Sequence, residues 1–162
     1  MKVGQRNTLS KVWSKKGKRP EVPRQQQYLY TNLFGAVNVL TGETESIIID
    51  YSGYTVTEEL LELISKRTKP TRIAVVILDK AAWHTTSKIK KFDNLVLLPL
   101  PPYSPELNSI EQVWAYLRRH YLSNRIFLNF DDIVTSLSDA WLSLSSSPHI
   151  LKSIVFRDYM AI

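Results

Sequence analysis

Apolar residues fall in short runs separated by polar turns, and their spacing changes along the chain. Residues 28–39 are rich in aromatic and β-branched side chains, which predicts a strand. Leu40-Thr41-Gly42-Glu43 reads as a turn. Residues 44–51, centred on Ile47-Ile48-Ile49, read as the returning strand of an antiparallel hairpin that Ser52-Gly53 ends. Thr57 has the chemistry of a helix N-cap, with Glu58 and Glu59 following where acids favour the helix dipole. Leu60, Leu61 and Ile64 then share one face, predicting a helix over residues 58–67 that Pro70 closes off.

The pattern shifts at Ile73-Ala74-Val75-Val76-Ile77-Leu78. This continuous apolar run is too short for a helix and is β-branched, so it predicts a strand buried on both faces, with Asp79 at its C-terminal end. Residues 81–91 are compatible with a helix. Leu95-Val96-Leu97-Leu98 predicts a second buried strand, stopped by the prolines that follow. Ser109 is placed to cap a helix running to Tyr121, with Ile110, Val113, Trp114 and Leu117 on one face. Residues 131–144 repeat that pattern through Ile133, Val134, Leu137, Ala140 and Trp141, and the Ser-rich stretch before Pro148 ends it. Residues 1–24 carry the breakers Gly4, Gly17, Pro20 and Pro23 and read as an irregular arm. No internal repeat is present. The order of hairpin, helix, strand, helix, strand, helix, helix predicts an α/β fold with a mixed sheet.

Composition narrows the class. A chain of 162 residues, 44% of them hydrophobic, suits one domain or two with a real core. Lys and Arg number 21 against 15 acids, for a formal charge of +6. That surplus fits a polyanionic partner and equally fits a basic protein without one. Its distribution says more. Lys2, Arg6, Lys11, Lys15, Lys16, Lys18, Arg19 and Arg24 crowd the arm, where Glu21 is the sole acid and Trp13 the sole indole. Such cations neutralise phosphates, and an aromatic among them can stack on a base; a solvated basic tail would have the same composition. The absence of cysteine excludes disulfides and thiolate metal sites. No apolar run reaches the roughly 20 residues a membrane span needs, and no signal-peptide core is visible. The expected location is the cytoplasm, with no membrane partner.

Two carboxylates stand out. Ligands of open α/β sheets gather beyond the carboxyl ends of strands, and Asp79 takes such a position, although it could simply cap the next helix. His84 follows five residues later and could bind phosphate or metal, or pack on Trp83. Glu111 falls in the first turn of a helix that follows a rigid loop, Pro101-Pro102-Tyr103-Ser104-Pro105-Glu106-Leu107-Asn108. That loop leaves the strand expected beside the Asp79 strand, so Glu111 could approach Asp79. Paired carboxylates repel unless cations join them, and hard oxygen donors suit Mg²⁺ or Mn²⁺.

These segments resemble the DDE endonuclease domain of mariner-like insertion-sequence transposases. The resemblance rests on Leu78-Asp79-Lys80-Ala81-Ala82-Trp83-His84 and on the Pro101 to Trp114 segment. It continues through Leu122-Ser123-Asn124-Arg125-Ile126-Phe127, Asp131-Asp132-Ile133, Ala140-Trp141 and Ser153-Ile154. Upstream, Val3-Gly4-Gln5, Trp13, Gly17-x-Arg19-Pro20 and Phe34-Gly35-Ala36 also fit. Ala82 and Ser109 depart mildly, where glycine and proline are common. The resemblance implies an RNase H-like fold and three metal-binding carboxylates, of which the second matches Asp79 and the third Glu111. It implies two Mg²⁺ (or Mn²⁺) ions in the complete enzyme, DNA cleavage and strand transfer at transposon ends and targets, a homodimer in the complete enzyme, and a nucleoid-associated location. Lys11, Lys15, Lys16, Lys18, Arg19 and His84 are the expected DNA contacts. Glu106 reads as support for the loop.

One departure is larger. The family's first aspartate ends a central strand, precedes a glutamate, and aligns just before Met1. Neither Asp50 nor Glu21 replaces it. The expected division is therefore a basic arm over residues 1–24 and a partial RNase H-like domain over residues 25–162, with the upstream half of a split transposase as an expected partner. A non-catalytic DNA-binding or dimerisation fragment, or a decayed remnant, are the alternatives.

Overall fold

The expected hairpin is present in the computed structural model, which describes residues 1–6, 9–79 and 88–156. Strands β2 (Gln26–Val37) and β3 (Thr44–Ile49) pair antiparallel from Asn32↔Ile49 to Val37↔Thr44. The connection turns at Gly42, whose φ of +77° lies in the left-handed region that glycine adopts without strain. Asn38 caps the turn by accepting from the amides of Leu40 and Thr41.

The arm does not begin at residue 1 as an irregular segment. Lys2–Arg6 forms β1, antiparallel to β2, with Lys2 opposite Asn32 and Gly4 opposite Tyr30. The strand's period of two explains it: Val3 and Gln5 are buried while Lys2 and Arg6 are exposed. Gln5 is satisfied inside by donating Nε2–H to the carbonyl of Phe127 at 2.9 Å. Gly4 and Pro-based breakers masked this alternation in so short a stretch.

Helix α1 (Tyr54–Arg67) starts earlier than its acids suggested, with Gly53 rather than Thr57 at the cap. Thr57 is instead buried within the helix, its hydroxyl without a hydrogen-bond partner. Lys66 and Arg67 complement the negative helix end, and Arg67 reaches Glu45 of β3 at 2.7 Å. Strands β4 (Ala74–Leu78) and β5 (Leu95–Pro99) pair in parallel as a separate sheet. The expectation that both are buried on both faces fails. Ile73, Val75, Ile77, Val96 and Leu98 are all exposed, and Leu78 alone is buried. The reason is topological: among the described residues no strand pairs with the free edges of these two, so their sheet is too narrow to be covered on both sides.

The remaining helices are α2 (Ile110–Leu117), followed by a π-helical turn over Arg118–Leu122, then α3 (Phe130–Ser145) and α4 (Pro148–Val155). Asn129 caps α3 by accepting from the Asp132 amide at 2.8 Å. Pro148 ends one helix and opens the next at its first turn, where proline is tolerated. Helix α4 was not expected, although Leu151 and Val155 bury one face at i and i+4 spacing. These helices close a core with the inward side chains of β1 and β2, among them Val3, Leu33, Val113, Trp114, Leu137, Trp141 and Leu151. Most of the predicted helix over residues 81–91 lies outside the described residues.

Candidate functional site

The parallel pair sets the geometry of the site. Leu78 of β4 stands opposite Pro99 of β5, and the Leu100 amide extends the ladder to the Leu78 carbonyl at 2.8 Å. Asp79 and the loop to α2 therefore leave the same carboxyl end of the sheet. Asp79 is exposed there. The loop is stiffened by its prolines and by a 3₁₀ turn at Pro105–Leu107, whose Pro105 carbonyl accepts from the Asn108 amide at 3.0 Å. Glu106 is exposed within that turn. The Asn108 carbonyl then accepts from the Glu111 amide at 3.0 Å, which brings Glu111, half-buried, into the first turn of α2. Ser109 is not a side-chain cap. Its hydroxyl donates to the Val155 carbonyl at 3.2 Å and ties the helix start to α4.

The start of β1 lies in the same neighbourhood. The Met1 amine donates to the Leu33 carbonyl at 2.6 Å, and the Leu33 amide donates back to the Met1 carbonyl at 2.7 Å. Burial lowers this amine's pKa from 8.0 to about 6, with Glu111 and Asp79 opposing that shift and Arg118 adding to it. One amine thus senses both candidate carboxylates. Arg118 is seven residues past Glu111, about two helical turns, and escaped the sequence reading because a lone arginine in an amphipathic helix has no distinguishing pattern. It lines a small cleft with Lys2 and Arg6. Asp50 is exposed after β3 and Glu21 is exposed in the arm. Among the described residues no three metal-capable side chains form a cluster. His84 lies outside the described residues.

The amine has a measurable consequence. Between about pH 6 and 8 the unfolded amine binds a proton that the folded amine does not, so stability rises with pH across that window. Below it both states are protonated, and the folded state bears the desolvation cost. The expected gain from below pH 6 to above pH 8 is roughly 2–3 kcal/mol at 1.36 kcal/mol per pKa unit. Urea midpoints at the two ends of the window measure it; Nα-acetylation of the 162-residue chain removes this step, and its persistence in the acetylated chain would assign it elsewhere.

The arm is a pinned loop rather than a free tail. At one end the Ser10 amide donates to Asn124 Oδ1 at 3.0 Å, and the Ser10 hydroxyl to that of Ser123 at 3.0 Å. At the other, Gln25 exchanges two hydrogen bonds with the backbone of Phe127, at 2.7 and 2.9 Å. Both ends thus dock on the 123–127 segment. Between them Lys11, Trp13, Lys15, Lys16, Lys18 and Arg19 are all exposed, and the tip turns at Gly17 with φ +86°. The pins Gln25 and Asn124 are recognisable only in three dimensions, because their partners are about a hundred residues away in sequence.

Residues 1–134 match the family of DDE superfamily endonucleases. A protein of Sinorhizobium fredii, y4pE/y4sA, is 40% identical over 131 residues, covering 81% of this chain and 97% of that protein. Among solved structures, the Mos1 strand transfer complex superposes with a TM-score of 0.63 and 16% identity. The Mos1 transposase paired-end complex with the left transposon end gives 0.64 and 16%. In both cases 94% of this chain and 50% of the other are covered, so the chain spans about half the length of those structures. This likeness is one of fold, the RNase H-like mixed α/β architecture.

Proposed function

The chain belongs to the DDE superfamily of endonucleases, and we propose that it forms the part of a transposase catalytic domain that supplies the second and third metal-binding carboxylates, Asp79 and Glu111. The observation that carries this reading is the parallel β4–β5 pair, which sends Asp79 and the loop leading to Glu111 off the same carboxyl end of one sheet. The donor set fits divalent metal in kind, since both groups offer hard oxygens; a third carboxylate is wanting among the described residues. Bound Mg²⁺ or Mn²⁺ supplies the Lewis acidity that generates a nucleophile from water or a DNA 3′-hydroxyl and stabilises the leaving oxygen.

The protein's own residues do the holding and orienting. Asp79, on the strand end, and Glu111, on the helix start, present oxygens from two rigid elements. Arg118 offers a positive charge on the Glu111 side, suited to a phosphate approaching the carboxylates. The pinned arm holds the DNA backbone through Lys11, Lys15, Lys16, Lys18 and Arg19 without reading sequence. DNA affinity of the 162-residue chain is therefore expected to fall linearly in log–log form with salt, with little preference among sequences. A salt titration of binding checks this; tight, salt-insensitive binding to one sequence contradicts it.

A strand ending in Asp-Glu before Met1 completes the carboxylate set on this reading. The deciding experiment compares the 162-residue chain with the same chain carrying such a strand, fused or added in trans. The first is expected not to nick DNA, and the second to nick it with Mg²⁺. Robust Mg²⁺-dependent nicking by the 162-residue chain would place the first carboxylate elsewhere.

A further inference from the structure

We propose that the outward face of the β1–β2 ribbon is a stacking platform for unpaired bases, with Tyr28 and Tyr30 receiving the bases and Lys2 and Arg6 the phosphates. The inference rests on the DNA-cleavage reading above and adds a particular substrate form, a single strand leaving the reaction centre.

Strand pairing places the four residues. Gly4 stands opposite Tyr30 and Arg6 opposite Gln26, so Lys2, Gly4, Arg6, Tyr28 and Tyr30 share one face of the ribbon. The buried Val3, Gln5, Thr31 and Leu33 occupy the other. Tyr28 is 81% exposed and Tyr30 43% exposed. Tyrosines so open in a strand bury little area and so add little to the fold. Tyr30 has a close neighbour in Gly4, where an added Cβ would meet its Cα and Cβ at 2.7 Å.

Each ring is attended by a cation. Lys2 Nζ lies 3.3 Å from the centroid of Tyr30, and the Arg6 guanidinium 5.8 Å from that of Tyr28. A surface cation–π contact of this kind is weaker than stacking of a nucleobase on an aromatic ring. A base can therefore displace the cation from the ring, and the released charge lies beside the adjoining phosphate. Arg118 adds a third positive charge at the edge of β1, in the cleft it shares with Lys2 and Arg6. Neither β1 nor β2 contains an acid, so the complementarity is with a polyanion.

Position supplies the direction. The platform begins one residue from Met1, whose amine senses Asp79 and Glu111. A strand whose phosphate lies at those carboxylates can continue along Lys2, Tyr30, Arg6 and Tyr28. Duplex DNA keeps its bases stacked on one another and cannot use the rings, whereas an unpaired end can.

The test uses the full 162-residue chain with two probes, fluorescein-labelled dT₁₂ and a twelve-base-pair duplex. Tyr28→Thr and Tyr30→Thr keep strand propensity and remove the ring. Each is expected to weaken dT₁₂ binding about five- to tenfold and duplex binding less than about twofold, while Tyr28→Phe and Tyr30→Phe bind as wild type. Unchanged urea midpoints verify the fold. Unchanged dT₁₂ binding with duplex binding intact overturns the platform and leaves the DNA reading standing. Equal loss of both probes overturns the single-strand assignment. Failure of wild type to bind either probe overturns both readings, as does tight association of the chain with itself through this face, read as a Tyr28-dependent dimer.

Discussion

Asp79→Asn or Glu111→Gln, in the chain completed by a strand ending in Asp-Glu, is expected to lower Mg²⁺-dependent nicking by about a thousandfold or more. Each change keeps the shape of the side chain and removes the charge that would hold a divalent ion on the proposed reading. The two positions tolerate the change structurally, because Asp79 is exposed beyond β4 and Glu111 is half-buried at a helix start. Losing Glu111 also removes an acid from the first turn of α2, worth a few tenths of a kcal/mol to about 1 kcal/mol, far less than the catalytic effect. DNA affinity measured without metal stays near wild type, since neither carboxylate attracts phosphate. Glu106→Gln is the control that separates the two glutamates of the loop region. It sits exposed in the 3₁₀ turn and is expected to leave nicking close to wild type. Nicking within about tenfold of wild type in either the Asp79 or the Glu111 variant would remove that residue from the metal site.

The parts of this fold that sequence reveals are those whose cause is local. The hairpin follows from β-branched runs around a glycine turn. The α3 helix follows from a period of 3.6 between capping residues. The placement of Asp79 just past a strand and of Glu111 in the first turn of a helix was legible because each adjoins the end of a regular element. What was not legible depends on distant partners. The Lys2–Arg6 strand exists because β2 offers it an edge, and five residues cannot announce that by themselves. The exposure of β4 and β5 could not be read from their composition, because an apolar run has the same sequence whether or not its neighbours are present. The arm's charge was visible, but its pinning depends on Asn124 and Gln25 finding partners more than a hundred residues away. Thr57 illustrates a competition: its capping chemistry suggested a helix start, and packing of α1 one turn earlier overrode it.

Trp114→Ala is expected to cost about 3–5 kcal/mol of stability, the largest loss from a single truncation that also reaches the site. Trp114 is 5% exposed, packs at 5.8 Å from Trp141, and lies three residues after Glu111 on α2. It also meets β2 at the one position where the strand makes room. A Cβ on Gly35 would stand 2.8 Å from Cη2 of Trp114 and 3.1 Å from Cη2 of Trp141. Gly35→Ala alone is therefore expected to destabilise by about 1–3 kcal/mol through overpacking, despite the modest gain that alanine brings to a strand interior. In the Trp114→Ala background the closer of the two obstacles is gone and a cavity replaces it. The same methyl then fills space, and the double variant is expected to be more stable than the sum of the single losses by about 1 kcal/mol or more. Urea unfolding of the four proteins at one fixed pH measures the coupling. Additive losses would show that α2, the helix that carries Glu111, does not pack on β2 through this glycine.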